Sequence, residues 1–187
     1  HAMQTGIARV FPDAGFIMLP MADGGEGTID ALLYAQQGQK IEVQVTGPLP
    51  KQQVQAYFGL IDEGKTAIIE MAKASGLDLL QPVQRNPLLT STYGTGQLIK
   101  AALDRQVSKI IIGLGGSATT DGGAGMAQAL GVQFYDAADN SVIATGGNLH
   151  HIQRMDLTQL DPRLTQVEVI IACDVNNPLT GPTGAAQ

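Results

Sequence analysis

Several residue types are rare in the sequence, and each of these shortages excludes some classes of protein. It contains one cysteine, Cys173, so the 187-residue chain cannot hold an internal disulfide framework, which fits a reducing cytoplasm. It has no tryptophan, only 4% aromatic and 15% charged residues, and a net charge of −6. Without a basic run, nucleic acid and anionic membranes are poor partners. No apolar run approaches the roughly 18 residues of a membrane helix.

The apolar residues, 44% of the chain, follow patterns that predict an α/β fold. In the first half they predict a helix ending near residue 11, a buried strand at 16–20, a helix within 26–38, and strands at 40–46, 53–61 and 65–72 in an antiparallel or mixed arrangement. From residue 94 onward, helices alternate with strands. The runs "KIIIGLGG" and "VEVIIACD" are apolar at successive positions, which is typical of strands buried on both faces of a parallel sheet. The sequence therefore predicts a three-layer α/β protein with a largely parallel sheet.

A glycine-rich segment, "GLGGSATTDGGAG" at 113–125, follows one of these strands and precedes a predicted helix. Ligands of open α/β sheets bind at this edge, where glycine backbone and a helix start suit a phosphate group. Ser117 and Thr119 add hydroxyl donors. The segment lacks the lysine of the Walker A pattern and matches the dinucleotide fingerprint only loosely. Asp121 either holds Mg²⁺ beside the phosphates or caps the following helix.

A second glycine turn, "MADGGEGT" at 21–28, repeats the order of strand end, aspartate and helix start. The functional interpretation is that Asp23 and Glu26 present carboxylates towards the same cleft. The alternative is that Asp23 caps the helix, with Glu26 three residues later completing an arrangement close to a capping box. The candidate residues of this turn for binding substrate or nucleotide are Gly24, Gly25, Glu26 and Thr28.

Two further polar turns are candidates for the site. The segment "ACDVNNPLTGPTGA" brings Asp174, Asn176 and Asn177 to the end of a strand, where they suit the binding of a metal or a hydroxyl group. The alternative is an Asx-turn that ends the strand. The turn "STYGTGQ" contains Thr95, and it either adds hydrogen-bond donors to the site or caps a helix.

Taken together, these turns resemble one family, the type I glycerate kinases, bacterial enzymes that phosphorylate D-glycerate with ATP. The matching segments occur in family order and cover nearly the whole chain. They are "FPDAGFIMLPMADGGEGTIDAL", "VTGPLPKQQVQAYFG", "TAIIEMAKASGL", "RNPLLTSTYGTGQLIKAAL", "KIIIGLGGSATTDGGAGMAQALG", "GGNL", "LDPRL" and "IACDVNNPLTGPTGAA".

The resemblance implies a two-domain α/β enzyme that transfers the γ-phosphoryl group of MgATP to a hydroxyl of glycerate, with 2-phosphoglycerate as the favoured product. Gly115, Gly116 and Ser117 would then contact phosphate. Asp174 or Asp23 would accept the glycerate hydroxyl proton or hold Mg²⁺, and Asp121 would do the latter.

The chain departs from the family pattern in its length, since family chains are about twice as long. We therefore expect a fragment truncated at both ends, with residues 1–46 forming part of a first domain and residues 47–187 forming a second. No lysine or arginine lies within the glycine loops, so the isolated chain is expected to be inactive. The alternative is a non-catalytic α/β module that binds an anion or pairs with a second copy. A weaker third hypothesis is a nucleotide- or dinucleotide-binding protein of another reaction class.

Overall fold

The computed structural model describes residues 2–17, 26–173, 178 and 181–184. The helices are α1 (Ala2–Val10), α2 (Thr28–Gln36), α3 (Ala72–Ser75), α4 (Tyr93–Leu103) and α5 (Ala124–Ala129). The strands are β1 (Gln39–Thr46), β2 (Gln53–Ile61), β3 (Thr66–Glu70), β4 (Lys109–Gly113), β5 (Gln133–Tyr135), β6 (Arg154–Asp156) and β7 (Glu168–Ala172). The strand predicted at 16–20 extends outside the described residues.

The main sheet of the described chain has the strand order β1-β2-β3-β4-β7. Strand β1 pairs antiparallel with β2 from Gln39 opposite Leu60 to Thr46 opposite Gln53, and β2 pairs antiparallel with β3. Strands β3, β4 and β7 are parallel neighbours. The antiparallel first part and the parallel second part are both as predicted. The domain boundary placed at residue 46 falls between two paired strands, and the division into domains stays a prediction.

Helices cover both faces of this sheet, which confirms the α/β class and the three layers. On one face, Ile29 of α2 packs with Ile61 and Ile68. On the other face, α4 buries Leu98 and Ile99 in the main core, which also contains Phe58, Ile69, Ala102 and Ile110. Helix α5 lies against α4, and a Cβ atom at Gly96 would come within 2.4 Å of the carbonyl oxygen of Met126. The two helices can approach this closely because position 96 has no side chain.

Strand β7 differs from its prediction as a buried strand. Val169, Ile170 and Ile171 are exposed, with Ile171 51% accessible, although the strand pairs with β4 along its length. Within the described residues, neither a further strand nor a helix covers it. The apolar sequence predicted the strand correctly, but burial depends on neighbours that the sequence pattern does not specify.

The region at 149–165 contains two short 3-10 turns and the strand β6. Strand β6 pairs antiparallel with β5, apart from the main sheet. With three residues, β6 is too short for an apolar alternation to reveal it, whereas β5 lies within "VQFYD", which the sequence predicts to be a strand. Among the described residues, no helix combines the length and the apolar character that crossing a membrane requires.

Candidate functional site

The glycine loop leaves the carboxyl end of β4 and reaches the beginning of α5. The carboxyl ends of three parallel strands meet there, because the Met71 amide donates to the carbonyl of Gly113 and the Leu114 amide donates to that of Ala172. This edge is where ligands of open α/β sheets bind. The structure therefore places the loop at the position that the sequence predicted for it.

The first part of the loop presents backbone amides that have no acceptor within the part of the chain that the structure describes. The Leu77 amide donates to the carbonyl of Gly116, and the Ala118 amide donates to that of Ser75, so the loop is fixed to the segment after β3. Among the described residues, the amides of Gly115, Gly116 and Ser117 have no hydrogen-bond acceptor. Gly116 has φ of +74°, a left-handed conformation that L side chains rarely adopt. Successive amides around a residue in the left-handed conformation are the backbone arrangement in which anion-binding nests occur, and we call Gly115, Gly116 and Ser117 the candidate nest.

The hydroxyl groups of Ser117 and Thr119 belong to the same exposed surface. The Thr119 amide donates to Ser117 Oγ at 3.0 Å, and the two hydroxyl oxygens lie 2.9 Å apart. Hydroxyls can rotate to donate to an incoming anion. The polar side of the loop thus combines three backbone donors with two hydroxyl groups.

Asp121 is buried, and its contacts favour the helix-cap interpretation over the metal interpretation. Its Oδ2 accepts hydrogen bonds from the Thr92 amide at 2.7 Å, the Thr92 hydroxyl at 2.9 Å and the Gly125 amide at 3.1 Å. Its Oδ1 accepts one from the Gly123 amide at 3.1 Å. Asp121 therefore satisfies amides at the beginnings of both α4 and α5.

Thr92 completes this connection between the two helices. While its hydroxyl donates to Asp121, its oxygen accepts a hydrogen bond from the Met126 amide at 2.9 Å. Thr95, one turn further along α4, is 2% exposed, and its hydroxyl lies 2.8 Å from Ser75 Oγ. Thr95 thus links α4 to α3 in this structure. Its predicted contact with a ligand stays a prediction.

A cavity of about 560 Å³ opens between the loop, α4, α5 and the sheet. It brings together four of the predicted site residues, Thr95, Ser117, Thr119 and Asp121. One end is polar where the loop lines it. The rest is apolar and continues onto the exposed face of β7; its lining there includes Ile99, Ile110, Ile112, Leu164, Val169 and Ile171.

The second predicted turn is described only from Glu26 onward. Glu26 is exposed, Thr28 is buried, and α2 begins after Gly27, which has φ of 91°. The other predicted residues of this turn, and those after β7, lie outside the described residues; they are Asp23, Gly24, Gly25, Asp174, Asn176 and Asn177. Because Asp23 is among them, the capping box formed by Asp23 and Glu26 stays a prediction.

The structure adds a charged pair that sequence reasoning missed. Glu70, the last residue of β3, is 1% exposed, and its Oε1 accepts a hydrogen bond of 2.7 Å from the Ile29 amide. Its Oε2 lies 3.4 Å from Lys73 Nζ, which is also 3.5 Å from Glu26. Burial alone would lower the pKa of Lys73, but Glu70 and the phenol of Tyr57 outweigh it and raise that pKa above its ordinary value. The sequence does contain a signal for this pair, because a glutamate ends the apolar strand "TAIIE" and is therefore expected to need a partner.

Across the described residues, no cluster of three or more His, Cys, Asp or Glu side chains could hold a metal ion. Both carboxylate oxygens of Asp121, the predicted ligand, already accept hydrogen bonds. The described residues therefore do not fit a Mg²⁺ site built by the protein alone.

Comparisons with known proteins agree with one another. The sequence model of the glycerate kinase family matches residues 1–187. A glycerate kinase of Haemophilus influenzae is 58% identical over 99% of this chain, and the glycerate 2-kinase of Escherichia coli K12 is 49% identical over all of it; in each case 49% of the relative is covered. A crystal structure assigned as glycerate kinase 2 from Salmonella typhimurium LT2 superposes with a TM-score of 0.86 at 49% identity, over 99% of this chain and 50% of that one. The chain thus spans about half the length of the relatives it matches.

Proposed function

Because this chain belongs to the glycerate kinase family, we propose that it supplies part of an enzyme that transfers the γ-phosphoryl group of ATP to a hydroxyl group of D-glycerate. The favoured product is 2-phosphoglycerate, and the proposed location is the cytoplasm. Two observations together support the proposal: the family match extends over the whole chain, and the glycine loop presents the amides of the candidate nest at the edge of the sheet where ligands of open α/β sheets bind.

The candidate nest suits one part of the chemistry of a kinase, the binding of phosphate. Phosphoryl transfer depends mostly on positioning the phosphates and neutralising their charge. The amides of Gly115, Gly116 and Ser117 are available for a phosphate oxygen, and the hydroxyls of Ser117 and Thr119 lie beside them. We propose these residues as the phosphate-binding part of the site.

The proton acceptor for the glycerate hydroxyl is proposed from the sequence. Asp23 and Asp174 are the candidates, and Asn176 and Asn177 are candidates for contacts with glycerate. Residue 174 follows β7 in the chain, two residues beyond the end of a strand that is parallel to β4. A carboxylate at such a position suits the acceptance of a proton from a bound alcohol.

Kinases use ATP together with Mg²⁺, which is held largely by the phosphates and by one or two carboxylates. Because the described residues form no metal site, no step of the reaction is assigned to the ion. Asp121 is proposed to act by fixing the beginnings of α4 and α5 beside the candidate nest.

We further propose that full activity requires segments of a family-length protein beyond this chain. The exposed apolar residues of β7 support this, since isolated domains rarely leave an apolar parallel strand uncovered. The relatives, about twice as long, provide enough additional chain to cover it.

The test is to incubate the 187-residue chain, and separately the Haemophilus influenzae relative as a positive control, with ATP, Mg²⁺ and D-glycerate. Phosphorus-31 NMR of the products distinguishes 2-phosphoglycerate from 3-phosphoglycerate. Turnover by the relative, with ATP binding and little or no turnover by the chain alone, is the expected result. A chain that binds neither ATP nor glycerate would overturn the proposal, and a preference for NAD would favour a different class of reaction.

A further inference from the structure

Two segments of the chain fix the loop that contains the candidate nest, and the first of them follows β3. The Leu77 amide donates to the carbonyl of Gly116, and the Ala118 amide donates to that of Ser75, each at 2.9 Å. Ser75 is fully buried, and its hydroxyl oxygen lies 2.8 Å from that of Thr95. This side of the loop is therefore fixed through the backbone, by a segment that is itself anchored in the protein.

The second segment is residues 87–90, and it reaches the loop through a side chain. Thr90 is fully buried, and its hydroxyl oxygen lies 2.8 Å from the carbonyl oxygen of Ala118 and 3.2 Å from that of Pro87. The shorter distance favours Ala118 as the acceptor of the single hydroxyl proton. Ala118, the residue directly after the candidate nest, thus donates to the carbonyl of Ser75 and accepts from the hydroxyl of Thr90.

This second segment is held in turn by the two glycines of the "GGNL" motif. The Gly146 amide donates to the carbonyl of Thr90 at 3.2 Å. The Gly147 amide donates to the carbonyl of Leu88 at 2.8 Å. A Cβ atom at Gly146 would lie 2.2 Å from the carbonyl oxygen of Pro87, so the two segments approach more closely than a side chain at position 146 would allow. The motif thus fixes the backbone from which the Thr90 hydroxyl extends.

The loop needs such support because its own backbone is permissive. Gly115 and Gly116 have no side chains that could pack against the protein, and glycine loses more conformational freedom on ordering than other residues. A nest binds an anion while its successive amides point to the same side. Ala118 is bonded directly to Ser117, so the orientation of the Ser117 amide depends on the hydrogen bonds that fix Ala118.

We propose that Thr90 is a positioning residue for phosphate binding. Its hydroxyl holds Ala118, and through Ala118 the amides of the candidate nest, in the arrangement that a phosphate oxygen requires. Thr90 acts without touching the ligand, because it is fully buried. The proposal rests on the proposed function in taking phosphate as the ligand of the candidate nest, whereas the attachment of the loop to Thr90 rests on the hydrogen bonds alone.

The test compares variants of the 187-residue chain that differ in one hydroxyl group. Thr90→Val removes the hydroxyl, while Thr90→Ser keeps it. Thr66→Val is the matched control, because Thr66 is also buried and its hydroxyl donates one hydrogen bond of 2.7 Å to Asp62, at the opposite end of β3 from the candidate nest. Isothermal titration measures ATP binding, hydrogen exchange of the Ala118 amide by NMR measures the loop without a ligand, and thermal unfolding measures stability.

Thr90→Val is expected to weaken ATP binding about fivefold and to reduce the protection of the Ala118 amide by a similar factor, as for the loss of one hydrogen bond. Thr90→Ser is expected to stay within about twofold of the wild type in both, because the hydroxyl remains. Thr66→Val should lower the melting temperature as Thr90→Val does, while its ATP affinity and its Ala118 protection stay at the wild-type values. A merely structural role of Thr90 would lower both melting temperatures without separating the affinities.

Wild-type ATP affinity in Thr90→Val would overturn the proposal, as would equal weakening in Thr90→Val and Thr66→Val. If Thr90→Val does not fold, Thr90→Ala and Thr90→Ser are compared instead, because they too differ in one hydroxyl group, and equal ATP affinities in that pair would overturn the proposal. Absence of ATP binding by the wild type would overturn the proposed function and the role of Thr90 in phosphate binding. Hydrogen exchange at Ala118 would then still show whether Thr90 holds the loop, since unchanged protection in Thr90→Val would overturn that as well.

Discussion

Strands β4 and β7 have similar apolar sequences, but their side chains are buried to different extents. The strands read "KIIIG" and "EVIIA", and they pair in register from Lys109 opposite Glu168 to Gly113 opposite Ala172. In β4, Ile110 and Ile112 are buried in the main core. In β7, the opposing Val169 and Ile171 are exposed.

The difference shows that an apolar strand sequence does not by itself determine how far its side chains are buried. Strand β4 has β3 and β7 on its two sides and α4 over one face. Strand β7 has β4 on one side and, among the described residues, no partner on the other. Since the relatives are about twice as long, the sequence of β7 is consistent with a strand that is covered in the longer protein.

The largest expected effect separates the two strands directly. Ile112→Asp should abolish folding or cost more than about 4 kcal/mol, because it buries an unpaired charge. Ile171→Asp should cost less than about 1 kcal/mol, because Ile171 is 51% exposed. Urea unfolding of both variants measures the free energies. Equal destabilisation would show that β7 is covered in solution, and light scattering at several concentrations would reveal whether a second copy covers it.

The second prediction concerns Asp121, at the ligand-binding end of β4. Asp121→Ala should destabilise the chain by about 2–4 kcal/mol, because four hydrogen bonds at the beginnings of α4 and α5 lose their acceptor. The loss should be the same with Mg²⁺ and with EDTA. Thermal unfolding in both buffers checks this. A loss that occurs only when Mg²⁺ is present would instead support the metal interpretation.

The smallest expected effect concerns the pH dependence of stability and involves Asp161, in the turn that precedes β7. Asp161 caps the turn before this strand and accepts hydrogen bonds from Arg163, which also contacts Asp104 at the end of α4. The hydrogen bond from Arg163 lowers the pKa of Asp161 below its ordinary value. A carboxyl with a lowered pKa contributes stability above its unfolded pKa of about 4 and loses it as the pH falls through the folded value.

Asp161→Asn should therefore flatten part of the decline in stability between about pH 5 and pH 3, with little effect on β4. The measurement is the free energy of unfolding against pH for the wild type and the variant. Asp136→Asn is a second test, since the pKa of Asp136 is also lowered, by Asn140 in a loop remote from β7, and it should flatten the profile in the same direction. Identical pH profiles for the wild type and Asp161→Asn would contradict the prediction.

The sequence predicted most of the fold because the fold follows from local apolar periodicity. The strand positions and the parallel second half came from the runs around Ile69, Ile111 and Ile170. The exact beginning of α5, at Ala124, could not be predicted, because Gly122 and Gly123 take left-handed conformations with φ of 59° and 79° before the helix starts. A pattern of glycines indicates a turn without specifying its backbone angles.

The candidate site was predicted less completely, because its connections are long-range. The glycine loop could be placed from its order between a strand and a helix. The hydrogen bond that Glu70 accepts from Ile29 spans 41 residues, and the bond from Thr92 to Asp121 spans 29. No local pattern contains such a partnership. The exposure of β7 was missed for the same reason, since it depends on which segments pack beside it.

The most direct test of the central claim, that the loop after β4 binds phosphate, is the affinity for ATP of two glycine variants. Gly116→Val and Gly64→Val both place a side chain at a positive φ, +74° and +85°, but only Gly116 belongs to the candidate nest. Isothermal titration should show ATP binding to the wild type and to Gly64→Val, with Gly116→Val at least about tenfold weaker, as for the loss of charge-assisted hydrogen bonds. Equal affinities in all three proteins, or no binding to the wild type, would contradict the claim.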